Sequence, residues 1–151
     1  MFLTLEHLIG WRNRFVGRLV VTNGCFDLLH PGHVVYLQSA RSMGDALLVG
    51  LNGDASVRVL KGPTRPILSE TARATMLQAL RAVDHVCVFN TPRADAFLAL
   101  ARPHIYVKGG DYRLDTLDPE ERAALDRAGA EIRFSSLLPG YSTTSILNKI
   151  R

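Results

Sequence analysis

Short all-apolar runs that alternate with stretches of helical periodicity constrain this chain more than any other feature. Residues 18–23 (Arg18-Leu19-Val20-Val21-Thr22-Asn23), Ala46 to Leu51, Val86-Cys87-Val88-Phe89, Ile105-Tyr106-Val107 and Ile132-Arg133-Phe134 read as five strands. Between them, apolar spacing and turn residues predict helices over 4–14, 31–43, 54–60, 69–82, 93–101, 119–128 and 142–150. Pro31 suits a first helical turn, where its missing N–H costs nothing. Ser69 is a good N-cap, and Gly44 and Gly129 suit helix ends. Strands apolar on both faces belong in a parallel sheet covered by helices on each side. The expected fold is therefore α/β: Rossmann-like and doubly wound, with a mostly parallel five-stranded sheet and helices on both faces. Ligands in such sheets bind beyond the carboxyl ends of the strands.

A chain of 151 residues can sustain one core, burying roughly 70% of its unfolded surface. The expected organisation is an N-terminal helical extension over 1–16 and a ligand-binding domain over 17–151. Apolar runs are too short to span a bilayer, and the first residues lack the pattern of a secretory leader, so the expected location is cytoplasmic. The net charge is +4, yet the basic residues are scattered singly, which argues against a nucleic-acid or membrane surface. Cys25 and Cys87 lie far apart and outside any C-x-x-C pair, so two free, core-facing thiols are expected rather than a zinc site.

The segment after the first strand is Asn23-Gly24-Cys25-Phe26-Asp27-Leu28-Leu29-His30-Pro31-Gly32-His33. A helix start offers unpaired N–H groups and a positive dipole end, both of which favour phosphate. Gly32 keeps the approach clear, and His30 and His33 can donate to one phosphate from the same side. Two capping or packing histidines, or half of a metal site, are the competing readings. A metal pair needs further ligands, and only Asp27 is near. Near the other terminus, Pro139-Gly140-Tyr141-Ser142-Thr143-Thr144-Ser145 sets three consecutive hydroxyls at a second helix start. Alone this is an N-cap with surplus hydroxyls; beside the histidines it makes a second phosphate clamp. Two of the three lysines, Lys61 and Lys108, stand directly before glycine, where a slim charge can approach a ligand. His7, His85 and His104 read as structural, and Trp11 as packing for the N-terminal helix.

The pattern Gly-x-Phe-Asp-x-x-His-x-Gly-His, followed much later by Ser-Thr-Thr, resembles the cytidylyltransferase family of small nucleotidyltransferases over roughly residues 17–151. The stretches Asn52-Gly53-Asp54, Leu60-Lys61-Gly62 with Arg65-Pro66-Ile67, and Lys108-Gly109-Gly110-Asp111-Tyr112 resemble its heptose-phosphate adenylyltransferase branch. That activity occurs as the second domain of a bifunctional kinase–transferase or as a free-standing enzyme, and the latter is expected here. Glycerol-phosphate cytidylyltransferases instead carry an arginine where this chain has Leu137, and lack the equivalent of Lys108.

The resemblance implies in-line attack of a sugar-phosphate oxygen on the α-phosphorus of a nucleoside triphosphate, with pyrophosphate leaving. It implies catalytic roles for His30, His33 and Lys61. Nucleotide contacts would come from Gly24, Cys25, Phe26, Gly32, Lys108, Gly109, Gly110, Asp111, Tyr141, Ser142, Thr143 and Thr144. Acceptor contacts would come from Asp27, Asn52, Asp54, Arg65 and Arg73. Mg2+ is expected to bridge the triphosphate, held by its oxygens and water, and a homodimer is expected by resemblance. Glycerol-3-phosphate cytidylyltransferase, another nucleotide and acceptor pair, or a non-catalytic ATP-binding module are the alternatives.

Overall fold

The computed structural model describes residues 2–109, 116–135 and 139–150. Six strands form one parallel sheet: β1 (Leu3–Thr4), β2 (Leu19–Gly24), β3 (Ala46–Asn52), β4 (His85–Phe89), β5 (Ile105–Gly109) and β6 (Glu131–Ser135), in the order β1-β4-β3-β2-β5-β6. The helices are α1 (Leu5–Arg14), α2 (Pro31–Arg41), α3 (Asp54–Lys61), α4 (Glu70–Gln78), α5 (Asp95–Ala101), α6 (Pro119–Ala128) and α7 (Thr143–Ile150).

The α/β, doubly wound architecture agrees with the sequence reading, but the sheet has six strands, not five. The additional strand is Leu3–Thr4, which pairs with Cys87 and Val88 at the sheet edge. Two residues show no periodicity, so this strand was invisible in the sequence. The segment before residue 17 is therefore part of the sheet as well as a helix.

The core is split into two layers by the sheet, as strand alternation requires. Leu19, Val21, Leu48, Cys87 and Tyr106 face the layer shared with α1, α5 and α6. Val20, Leu47, Val49, Leu51, Val86 and Val107 face the layer shared with α2 and α4. Trp11 seats α1, donating from Nε1 to His85 Nε2 at 3.2 Å and stacking on Phe15. His104 Nδ1 accepts the Leu19 N–H at 3.0 Å. Both histidines are thus structural, as expected.

Local chemistry sets the helix ends. The Ser69 hydroxyl accepts the Ala72 N–H, and Asp118 accepts from Glu120 and Glu121 ahead of Pro119. Strand order reverses between β2 and β5, since chain progression runs outward from β2 on one side and continues through β5 and β6 on the other. That switch point leaves a crevice at the carboxyl end of the sheet.

Candidate active site

A cavity of about 660 Å3 opens at that switch point. Its walls include Gly24, Cys25, Phe26, Asp27, His30, Gly32, His33, Asn52, Lys61, Arg65, Lys108, Gly109, Tyr141, Ser142, Thr143 and Thr144. The two motifs from opposite ends of the chain therefore share one wall. The His30 and Tyr141 rings stack at 6.1 Å and 20°, and the Thr143 hydroxyl reaches the Leu28 carbonyl at 3.5 Å. Gly32 lies between them: a Cβ there would come within 2.9 Å of the His30 ring and 3.4 Å of Tyr141 Cβ.

The histidines stack on each other at 3.8 Å and 24°. His33 Nδ1 accepts the His30 backbone N–H at 3.3 Å, which puts the neutral ring's proton on Nε2 and makes that edge its donor to a ligand. Burial, with the neighbouring His30 adding to it, pushes the His33 pKa down to about 4. Burial also lowers His30. His30 sits over the start of α2 as in a capping box, but its buried Nδ1 makes no hydrogen bond of ordinary geometry among the described residues. The His33 N–H bonds to the His30 carbonyl instead, at 3.0 Å. Phe26 supports the pair from below: its ring lies 5.2 Å from His33, and its backbone adopts φ 47°. A left-handed conformation in a bulky residue costs about 1–3 kcal/mol and is characteristic of site-forming turns.

At the start of α7, Ser142 Oγ accepts the Ser145 N–H at 3.0 Å and Ser145 Oγ takes the Ser142 N–H at 3.3 Å. Ser142 is thus both a helix cap and part of the cavity wall.

Several expectations are corrected. Arg73 does not reach the cavity. Its guanidinium is buried and donates to the carbonyls of Leu68 (3.0 Å), Cys25 (2.8 Å) and Asn52 (2.6 Å) and to Asp54 Oδ1 (2.8 Å). Asp54 gives Oδ1 to that ion pair and is absent from the wall. Asp27 lines the cavity but its carboxylate is consumed by the loop opposite: it accepts from Arg65 Nε at 2.7 Å and from the N–H groups of Ile67 and Leu68. Burial opposes its ionisation, but those backbone donors and the Arg65 guanidinium outweigh burial and hold its pKa below the ordinary value. Arg65 and Asn52 do line the cavity, as does Lys61 at the end of α3. Cys25 is not core-facing: it lies half-buried on the cavity wall, while Cys87 is buried. Gly110 and Asp111 lie outside the described residues.

Sequence reasoning passed over Asn23, Tyr36, Pro92 and Glu121, which also line the cavity. Tyr36 follows His33 by one helical turn, so the spacing placed it on the same face. Its hydroxyl contacts Thr22 Oγ1 at 2.5 Å and donates to the Val107 carbonyl at 2.9 Å, tying α2 to β2 and β5. Gly109 lets β5 pass that ring, since a Cβ would fall 2.9 Å from it. Glu121 looked like an ordinary acidic residue in a first helical turn. Among the described residues no cluster of three or more His, Cys, Asp or Glu is placed to hold a metal ion, and no helix is long and apolar enough to cross a membrane.

A parallel sheet thus sets a histidine-bearing helix start and a hydroxyl-rich helix start on one cavity wall. The chain belongs to the cytidylyltransferase-like family, whose pattern it matches over residues 21–149. It is 50% identical over 136 residues to the bifunctional protein HldE of Methylococcus capsulatus, covering 89% of this chain and 28% of that one. It is 48% identical over 132 residues to the bifunctional protein HldE of Syntrophotalea carbinolica, covering 87% of this chain and 26% of that one. The chain thus spans little more than a quarter of the length of these relatives. Among solved structures it is similar to the lipopolysaccharide core biosynthesis protein from Thermoplasma volcanium, with a TM-score of 0.66 at 25% identity over 82% of this chain and 98% of that one.

Proposed function

We propose that the chain is a nucleotidyltransferase that transfers AMP from ATP to a heptose 1-phosphate, giving ADP-heptose for lipopolysaccharide synthesis. The observation that carries this reading is the meeting of His30, Gly32 and His33 with Tyr141 to Thr144 on one cavity wall, in a chain of this family. The likeness to a lipopolysaccharide core biosynthesis protein and the heptose-branch motifs around Lys61 and Lys108 support the sugar-phosphate side.

An oxygen of the sugar phosphate attacks the α-phosphorus in line; the bond to the bridging β-phosphate oxygen breaks and pyrophosphate departs. Such transfer depends on positioning and charge stabilisation more than on a protein base. His33, neutral and donating from Nε2, and His30 beside it hold the α-phosphate and the leaving oxygen. Ser142, Thr143 and Thr144, with the open N–H groups of α7, take the outer phosphates. Lys61 faces the acceptor phosphate, and Arg65, fixed by Asp27, flanks it. Lys108 and Gly109 border the nucleoside, with Gly110 and Asp111 continuing that segment. A Mg2+ ion brought with the triphosphate would lie beside Ser142, Thr143 and Thr144 rather than on the imidazoles, and would supply charge neutralisation to the phosphates. A cytoplasmic location, where ATP is available, and a homodimer belong to the same reading; sedimentation velocity tests the second.

The test is pyrophosphate release across pairs of nucleotide and acceptor. ATP with heptose 1-phosphate is expected to be the best pair. Preference for CTP with glycerol 3-phosphate overturns the substrate assignment, and ATP binding without acceptor-dependent pyrophosphate overturns the enzyme.

A further inference from the structure

The sheet opens along one seam. β2 pairs with β3 over its whole length, from Leu19 to Gly24, and β5 pairs with β6 from Ile105 to Gly109. Between β2 and β5 the pairing covers Val20 with Ile105 and Val21 with Tyr106, and then stops. One further step of that register would join Thr22 to Val107. The cavity begins just beyond, with Asn23 and Gly24 on one lip and Lys108 and Gly109 on the other.

Side chains bridge the strands where the ladder ends. The Tyr36 hydroxyl donates to the Val107 carbonyl at 2.9 Å. A phenol has one proton to give, so at the 2.5 Å contact with Thr22 Oγ1 the threonine is the donor. Burial pushes the Tyr36 pKa up to about 12, and the phenol therefore keeps that proton at neutral pH. On the other face of the sheet the Tyr106 hydroxyl donates from β5 to Asn23 Oδ1 on β2. Tyr36 differs from Tyr106 in carrying a third element. It stands three residues after His33 on the same face of α2, and His30 at the head of that helix stacks on Tyr141 beside α7. Its ring also lies against the end of β5, where a Cβ on Gly109 would come within 2.9 Å of it. The chain Thr22–Tyr36–Val107 thus sets how far the histidine and hydroxyl wall stands from the tip of β5.

We propose that Tyr36 is a positioning residue, whose hydroxyl fixes the span between the phosphate wall and the nucleoside border at Lys108 and Gly109. The proposal rests on the nucleotidyltransferase reading for what those two ends hold. ATP reaches both ends and is sensitive to the span; a polyphosphate that touches the wall alone is not. An α-phosphorus held off its line of attack also reacts slowly, since a misplacement of about 1 Å can cost on the order of 10²-fold.

Calorimetric titration of ATP and of inorganic tripolyphosphate into wild-type protein and Tyr36→Phe tests this directly. The substitution keeps the ring and the shape of the cavity, and a thermal melt sets a temperature at which both proteins are folded. ATP is expected to bind roughly fivefold more weakly to the variant, the worth of about one hydrogen bond, with tripolyphosphate binding unchanged. Pyrophosphate release is expected to show kcat lowered by about tenfold or more. Thr22→Val is expected to give the same split at smaller size, and Thr22→Ser, which keeps the hydroxyl, to recover wild-type ATP affinity; this pair serves if Tyr36→Phe does not fold. A variant that loses thermal stability alone, an equal loss for ATP and tripolyphosphate, or a wild type that fails to bind either ligand overturns the positioning role. A wild type whose ATP binding depends on the Tyr36 hydroxyl but which releases no pyrophosphate bears out the positioning and overturns only the transferase.

Discussion

The two sides of the cavity floor use polar side chains in opposite ways. Around α4 and the loop that precedes it, Arg73, Asp54 and Asp27 have their hydrogen-bonding capacity turned inward, onto three backbone carbonyls, two backbone N–H groups and one another's neighbours. At the starts of α2 and α7, His30, His33 and the hydroxyls of Ser142 to Thr144 stand on the wall with capacity to spare. A charged residue near a site is therefore a poor guide to contact with ligand; what matters is whether its polar atoms are already satisfied. Inward-turned groups hold the site's shape, and outward-turned groups are the ones left to face the cavity.

Arg73→Met tests this division most severely. The substitution keeps bulk but strands three carbonyls and an ion-pair partner, and removing one partner of a buried pair costs about 3–5 kcal/mol. Urea unfolding is expected to show a loss of about 3 kcal/mol, the lower end, because Asp54 keeps some access to water. If the variant keeps its stability while losing acceptor binding, Arg73 is a ligand contact and the division fails.

His33→Ala is the mirror experiment on the outward side. Loss of a preorganised donor at a reacting phosphate is expected to lower kcat by about 10²–10³-fold. Because His33 also stacks on His30, packs on Phe26 and accepts the His30 N–H, the melting temperature is expected to fall as well, and kcat is compared at a temperature where both proteins are folded. Normal turnover by this variant removes the histidines from the chemistry.

The same division explains what the sequence could reveal. Strand runs and helix caps are local, so Pro31, Ser69 and Pro119 marked their helices, and four of the sheet's inner strands were plain from apolar runs alone. The two helix starts could be singled out because glycine, histidine and hydroxyl residues cluster beside both, and the fold brings them to one cavity wall. Arg73 was misread because helical spacing shows only which face a residue occupies. Its partners, the carbonyls at Cys25, Asn52 and Leu68, come from segments that meet only in the folded chain. Asp27 and Glu121 were opaque for the same reason. A carboxylate committed to backbone N–H groups, as both of these are, looks like any other in one dimension.

Acid sharpens the comparison further. His33 takes up a proton at about 4 when folded against 6.5 when unfolded, so between these values the unfolded chain binds more protons. Its contribution to stability is complete above pH 6.5 and is lost as the pH falls toward 4. His30, His85 and His104 are lowered too, each chiefly by burial, and act in the same direction. Stability measured by urea from pH 7 to pH 4.5 is expected to decline, and His33→Gln to decline less steeply, by about 1 kcal/mol after allowing for the ring's partial exposure. Parallel slopes would mean that His33 is as well solvated as a histidine in the unfolded chain.

Ser142 stands on both sides of the division, since its hydroxyl caps α7 and faces the cavity. Two substitutions separate these duties. Ser142→Ala removes an N-cap acceptor and is expected to cost about 1 kcal/mol of stability, whereas glycine at an N-cap costs only a few tenths. Both remove the hydroxyl from the cavity, so both are expected to raise the KM for ATP to a similar extent, roughly threefold to tenfold, the worth of one hydrogen bond. If KM instead tracks stability, rising in Ser142→Ala and not in Ser142→Gly, the hydroxyl serves only the helix. Phosphate would then be held at this end by the N–H groups of α7 and by Thr143 and Thr144, and the outward wall would begin one residue later.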